Sequence, residues 1–337
     1  MGLANVEKKF QLVHKATEIL QENVQCSFLD ATIETFENLL DDGKVHVEDG
    51  LPDEKTCDKL KKIYEEIDLK SLSREERRVL LQLALLQVYR TEKIQANHQM
   101  TPDTIGFLLA YLIEKVGTYK AGMKLLDLTV GTGNLLSAVL DTLRKNGWDD
   151  LNVYGIDNDD TLLSLASISA QLTEEPIELV HQDAIVDLQV PKADIVIADL
   201  PIGYYPLDER AKAFKTSAKE GHSFVHHLLI EQALNSLADG GWGLFVVPKG
   251  MFETKEAKEL LKVIQQSGYL QGLLDLPEKL FINKNSQKSI LLIQKQGANA
   301  KQAQPILLGE FPLMKDRDEF INFMNEIDQW RADNFNN

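Results

Sequence analysis

The chain has 337 residues, 44% of them hydrophobic, with 36 Lys and Arg against 52 Asp and Glu and a net charge of −16. Length and apolar content allow one large domain plus an accessory one with a real core, and exclude a disordered or fibrous chain. The charge excludes a tight, sequence-independent nucleic-acid binder, which needs a basic surface. Residues 1–97 carry 14 basic and 19 acidic side chains and are no basic module either, so any nucleic-acid site must be a small patch.

No apolar run approaches the roughly 20 residues of a membrane span. The opening MGLANVEKKFQLVHKATEIL lacks the apolar stretch of a signal peptide and the Ser or Thr at position six that myristoylation favours. Cys26 and Cys57 are the only cysteines and stand in no metal-ligand spacing, which points to free thiols in a reducing, cytoplasmic setting.

Residues 1–97 read as an α-helical N-terminal domain. Apolar side chains recur at helical spacing at Leu29, Ile33, Phe36, Leu39 and Leu40, and again at Leu60, Ile63, Tyr64 and Ile67. DDGKVHVEDGLPDE, residues 41–54, has the turn residues and acidic charge of a loop or small hairpin. Ser73 and Glu76 make a capping-box pair ahead of VLLQLALLQVY, a run apolar enough all round to be a buried helix.

Residues 98–337 change texture to alternating strand and helix. Thr101 and Pro102 have the form of an N-cap and a first helical residue, opening a helix that Gly117 ends. Strands are expected at 124–127, 153–156, 177–180, 194–198, 242–247, 270–275 and 289–294. The fold is therefore α/β: a seven-stranded, mostly parallel, Rossmann-like sheet with helices on both faces. The last two strands are joined by a loop without a crossover helix, so they should be antiparallel neighbours. Some 42 residues follow Lys295, with PILLGEF and an amphipathic helix bearing Phe320, Ile321, Met324, Ile327 and Trp330.

The first strand runs into LTVGTGNLL, where Gly131 and Gly133 let backbone N–H groups and a helix N-terminus approach a ligand. A dinucleotide fingerprint would place a third glycine at Leu136. Asp127 before the turn suits instead a nucleoside carrying an ammonium group and no phosphate, which is the chemistry of S-adenosyl-L-methionine. Asp157, ending the second strand, stands where an acidic side chain accepts ribose hydroxyls, and Asp183 after the third can face an adenine amino group. His222, His226 and His227 lack the carboxylate or thiolate partners of a metal site, and no metal is expected.

With HQMTPDTIGFLLAYL, DLTVGTGNLL, IADLPIGYYP, GHSFVHHLLIEQALNSLADGGWGLFVVPKGMF, LLDLPEKLF and KSILLIQK in this order, residues 97–297 resemble the class I S-adenosylmethionine-dependent methyltransferases. The likeness is to the N6-adenine DNA methyltransferases, above all the modification subunits of type I restriction systems and a small stand-alone bacterial group with a helical N-terminal domain. The resemblance implies that Thr101, Asp127, Thr129, Gly131, Gly133, Asn134, Asp157, Asn158, Asp183 and Ala184 hold the cofactor. It aligns Asp199, Leu200, Pro201 and Ile202 with the catalytic (N/D)-P-P-(Y/F) motif.

An exocyclic amine is a poor nucleophile because its lone pair is delocalised. A side-chain acceptor and a backbone carbonyl drawing on its N–H groups shift it toward a tetrahedral, reactive form. Asp199 supplies the first and Leu200 the second, without proline's fixed φ. Ile202 cannot stack on a flipped base, and Tyr204 or Tyr205 is the expected substitute. Arg210, Lys212, Lys215 and Lys219 follow, in a segment read as a solvated surface helix, with a mobile lid or phosphate-facing patch as the alternatives.

Three functions stay open at this point: N6-adenine methylation of DNA, with weak or partner-assisted binding and a separate specificity subunit; methylation of RNA or of a protein side-chain amide; and non-catalytic cofactor binding.

Overall fold

The computed structural model describes residues 2–281, 286–297 and 300–335. In chain order the elements are α1 (Gly2–Val24), α2 (Phe28–Leu40), α3 (Glu54–Ile67), α4 (Arg74–Thr91), α5 (Asp103–Val116), β1 (Met123–Asp127), α6 (Asn134–Lys145), β2 (Leu151–Asp157), α7 (Asp160–Thr173), β3 (Ile177–His181), β4 (Ala193–Asp199), α8 (Asp208–Ala211), α9 (Val225–Ser236), β5 (Leu237–Pro248), α10 (Ala257–Ser267), β6 (Gly268–Asp275), β7 (Lys288–Lys295), β8 (Leu307–Glu310) and α11 (Arg317–Phe335). Two compact units emerge, one of residues 1–100, 131–137 and 159–176, the other of 101–130, 138–158 and 177–337.

The first unit is helical. The apolar stripes of α1 to α4 close on one another through Leu20, Phe36, Leu60, Ile67, Leu80 and Leu85, all at most 2% exposed. Each such side chain contributes about 1.5–3 kcal/mol by leaving water. Leu162, Leu165, Ile168 and Leu172 of α7 join the same core, although β2 and β3 flank that helix in the chain. Arg74 and Arg77 both bond Glu174, the left-handed residue just after α7. The capping box forms as expected: Ser73 Oγ accepts from Glu76 N, and the Glu76 carboxylate accepts from Ser73 N. Helix α4 is less enclosed than its composition predicts, since Leu86 is exposed. The 41–54 stretch is a loop with a single antiparallel bridge between Glu48 and Leu51.

The second unit holds the whole sheet, in the order β3-β2-β1-β4-β5-β7-β6-β8. Strands β1 to β5 pair in parallel, β7 runs antiparallel between β5 and β6, and β8 returns parallel to β6. The antiparallel pairing of β6 and β7 was legible from their short loop. The strand count was not: four residues of PILLGEF form the eighth strand, and Leu308 and Gly309 of it are exposed, so this edge shows little apolar patterning. Central strands such as ADIVIAD are apolar almost throughout, as a sheet covered on both faces requires. Helix α11 is tied to α5 by Tyr111 Oη donating to Met324 O and by a Lys115–Asp328 ion pair. Among the described residues no helix is long and apolar enough to cross a membrane.

Candidate active site

Strand order turns back between β1 and β4: the chain runs outward through β2 and β3 on one side and through β5 on the other. Such a switch point opens a crevice at the carboxyl ends of the strands, where ligands of open α/β sheets bind. The last residues of β1 and β4 are Asp127 and Asp199, and Asp127 stands level with Ile197 in the ladder. Both carboxylates therefore lie at the crevice floor.

Asp199 is heavily tied. Thr101 Oγ1 donates to its Oδ2 at 2.9 Å, Lys288 Nζ donates to its Oδ1 at 2.6 Å, and Thr129 Oγ1 donates to its carbonyl oxygen at 3.2 Å. Thr101 is not the helix cap that its place before Pro102 predicts. Pro102 holds the N-cap position, and the Thr101 hydroxyl is spent on Asp199. Next along the chain, Leu200 N donates to Val246 O at 3.0 Å and the Leu200 side chain is 1% exposed. A proline could not make that bond. Where the motif usually relies on a ring to fix the backbone, this chain relies on one more ladder hydrogen bond and a buried side chain.

Beyond Pro201 the segment leaves the sheet edge with Ile202 exposed, and residues 203–205 pair with 223–225 through Tyr205 N to Ser223 O and Val225 N to Gly203 O. The two tyrosines part company here. Tyr205 is buried and its hydroxyl donates to Asp183 Oδ2 at 2.6 Å, so its ring does not serve as an open stacking platform. Tyr204 is 61% exposed and lies against Phe224, ring centroids 4.9 Å apart and planes 20° from parallel. Of the two expected substitutes for the missing aromatic, Tyr204 is the one with an accessible face.

Asp127 is the opposite of Asp199. It is fully buried, its Oδ1 accepts from Thr129 N at 3.1 Å, and its Oδ2 has no partner among the described residues. Burial, with Asp157 and Asp199 adding to it, pushes its pKa up to about 8 against the pull of the Thr129 N–H. An orphaned carboxylate oxygen inside a protein costs about 1–3 kcal/mol or more, which a cationic ligand would relieve. Asp157 closes β2, half-buried, and its carbonyl accepts from Gln182 N. Asn158 beside it is exposed, and its carbonyl lies 3.1 Å from His181 Nε2. Asp183, next to buried Ala184, accepts from Ile185 N, Tyr205 Oη and Arg210 Nη1, so most of its acceptor capacity is engaged.

The glycine turn belongs to the helical unit. Gly131 and Gly133 have φ of 53° and 77°, the left-handed region that side chains avoid. At Gly133 a Cβ would also lie 3.0 Å from Ala166 Cα. The Asn134 side chain, which opens α6, accepts from Gln82 Nε2 of α4 at 2.8 Å. The residues of this turn are thus fixed by helices α4 and α7.

Between Tyr205 and Gly221 only Asp208–Ala211 is helical, not the surface helix expected of the whole segment, and Arg210, still exposed, pairs with Asp183 at 2.9 Å. Among the histidines, His222 pairs with Asp208, while His226 and His227 are buried on α9 and depressed by burial to about 3 and 4. Among the described residues no cluster has the make-up of a metal site. A cavity of about 760 Å³ in the helical unit is lined by Lys44, Lys61, Lys70 and Arg77 and by Asp41, Asp42, Glu65 and Asp68. Its charges of opposite sign offset one another, with Lys70 on Asp42, and it holds none of the predicted site residues. The residue that sequence reasoning missed is Lys288. Its signal is positional: the first residue of an antiparallel strand lies at the same edge as the last residues of the parallel ones.

Comparison with known proteins agrees with this geometry. Residues 84–329 match the model of the N-6 DNA Methylase family, and residues 7–88 that of the YtxK N-terminal helical domain. The uncharacterized protein YtxK of Bacillus subtilis (strain 168) is 35% identical over 321 residues, 95% of this chain and 96% of that protein. A Listeria monocytogenes structure assigned to the class I S-adenosylmethionine-dependent methyltransferases is 40% identical with a TM-score of 0.89, covering 97% of this chain and 99% of that one. The methyltransferase subunit of a type I restriction-modification system from Streptococcus thermophilus shares the fold at 15% identity and a TM-score of 0.61, over 94% of this chain and 74% of that one. The chain belongs to the N-6 DNA Methylase family, with the methyltransferase fold of that family behind a YtxK-type helical domain.

Proposed function

We propose that the protein is an S-adenosyl-L-methionine-dependent N-methyltransferase whose acceptor is the N6 amine of adenine in DNA. The observation that carries this is the pair of carboxylates ending β1 and β4: Asp127 buried with an unpartnered oxygen, Asp199 held rigidly with lone pairs to spare. Asp127 fits the ammonium of the cofactor's amino-acid end, and Asp157 fits its ribose hydroxyls. Thr101, Thr129, Asn158, Asp183 and Ala184 complete the edge, and Gly131, Gly133 and Asn134 keep their expected role in the turn that follows Val130. When bound, the cofactor supplies a methyl group activated on a sulfonium centre.

Asp199 and the Leu200 carbonyl accept the N–H groups of the acceptor amine, raising its nucleophilicity as the methyl is transferred. Pro201 and Ile202 shape the exit of the strand, and Tyr204 stacks on the acceptor base, an interaction worth about 1–3 kcal/mol. Target recognition in DNA comes from a further subunit, because the acidic chain offers few phosphate contacts.

A second acceptor class, a protein side-chain amide, poses the same N–H geometry. It is favoured by the exposed apolar side chains Ile202, Tyr204 and Leu207 beside the motif. Calorimetry with S-adenosyl-L-methionine, followed by transfer of labelled methyl to DNA, RNA or a protein extract, tests the reading. Cofactor heat and labelled DNA are expected, with a shallow dependence of DNA affinity on salt. Heat without any labelled product would reduce the protein to a cofactor-binding module, and no heat would overturn the proposal.

A further inference from the structure

The Asp199–Lys288 contact is not required by the sheet. Lys288 begins β7 and stands opposite Pro248 of β5, while Asp199 lies on the far side of β5, opposite Val246. The lysine side chain therefore crosses a whole strand to reach the motif carboxylate. A nearer alternative, Asp275, is already taken by Lys249 at 2.9 Å and by the Ser289 hydroxyl at 2.6 Å. Both members of the pair are shielded, Lys288 22% and Asp199 17% exposed.

A carboxylate has about four lone-pair directions. Among the described residues Thr101 takes one on Oδ2 and Lys288 one on Oδ1, so two remain. An amine N–H can thus be accepted while the lysine stays in place. Without the lysine, the shielded Asp199 carboxylate would lose both the opposite charge beside it and the contact that fixes its Oδ1.

We propose that Lys288 is a positioning residue for methyl transfer: it offsets the charge of Asp199 and holds its Oδ1 in place, so that the two side chains together act as one neutral acceptor unit. This rests on the function proposed above. The motif admits asparagine at the position of Asp199, and asparagine is neutral by itself. The Asp–Lys pair reaches the same net charge with two residues on two strands.

The test is a double-variant cycle on the full chain with K288M, D199N and K288M/D199N, read as initial rate of labelled methyl transfer to the best wild-type acceptor among unmethylated DNA, total RNA and protein extract. Each single variant leaves one partner unpaired and should lose about tenfold or more. The double variant should recover to within about fivefold of wild type, a sign of coupling that independent defects cannot produce. A double variant as poor as the worse single one, with its cofactor affinity intact, would overturn the proposal and leave the function standing. Wild-type protein that transfers no methyl to any of the three would overturn the function and this inference with it. A readout without cofactor or acceptor separates the pair's charge role from mere packing. The melting-temperature deficit of K288M against wild type should largely disappear in the double variant, where no carboxylate is left without its cation. A deficit that persists undiminished in the double variant would count against the charge role.

Discussion

Asp127 and Asp199 are the same residue type at the ends of neighbouring parallel strands, yet the fold treats them oppositely. Asp199 comes with its own cation and a hydroxyl donor. Asp127 has one backbone N–H and an oxygen that nothing described satisfies. A carboxylate already neutralised inside the protein gains little by capturing a cationic ligand, but it can present fixed lone pairs to a reacting amine. A carboxylate left bare gains most from a cation. The difference matches the two tasks proposed for them: Asp199 for the acceptor, Asp127 for the cofactor.

Two substitutions break the comparison directly. Asp199→Ala should lower single-turnover methyl transfer by about 10²–10³ and leave cofactor affinity within about twofold of wild type, because the lost hydrogen bond strengthens only during transfer. Equal rates for variant and wild type, on an acceptor the wild type modifies, would place the chemistry elsewhere. Asp127→Asn should do the reverse in binding, weakening S-adenosyl-L-methionine by about 10- to 100-fold in calorimetry, the scale of a charged hydrogen bond lost in a buried site. Unchanged affinity would mean that Asp127 is buried for packing and not for a ligand.

Protons sharpen the same contrast. With its pKa pushed up to about 8 chiefly by burial, Asp127 carries a proton at neutral pH when nothing is bound. A cation bound against it favours the ionised form, so binding should expel up to one proton, and affinity should rise with pH until about 8 and level off above. Calorimetry in two buffers of different ionisation enthalpy measures the proton count. A count near zero at pH 7 in wild type would contradict this account of Asp127, and a count that persists in Asp127→Asn would assign the proton to another group.

Much of this was legible in the chain. The strand positions, the antiparallel last pair, the glycine turn and the aspartates at the strand ends follow from apolar runs and from where each run stops. What was hidden depends on contacts between strands distant in sequence. Lys288 lies 89 residues from Asp199, and only the register of β5 and β7 brings it within reach. Tyr204 and Tyr205 are indistinguishable as letters. The bridge from Tyr204 to Phe224 and the pull of Asp183 on Tyr205 decide which ring faces solvent. The same tertiary pull took Thr101 from its expected cap and set Arg210, still exposed, against Asp183.

The smallest expected effect concerns stability and lies outside the crevice floor, on α9. His226 is 4% exposed, rings of Phe224 and His227 pack against it, and burial followed by repulsion from His227 lowers its pKa to about 3. In the unfolded chain a histidine takes up its proton near pH 6.5, while the folded protein refuses it until about pH 3. The folded state therefore holds its full advantage above pH 6.5 and loses it as pH falls from there toward 3, at up to about 1.4 kcal/mol per pH unit. Asp127 has the opposite sign: its raised pKa weakens the ligand-free fold as pH climbs from about 4 toward 8. Between about pH 4 and 6.5 the Asp127 trend offsets one of two histidine trends in wild type, because His227, lowered to about 4 chiefly by burial, adds a second of the same sign as His226. His226→Leu should make the acid limb shallower by up to about one proton's slope, leaving that of His227, and Asp127→Asn should remove the loss of stability that accompanies rising pH up to about 8. Urea unfolding of both variants and wild type across pH 4 to 8 reads each slope separately. If His226→Leu leaves the slope below pH 6.5 unchanged, then the imidazole is protonated in the fold, and α9 does not exclude charge as its packing implies.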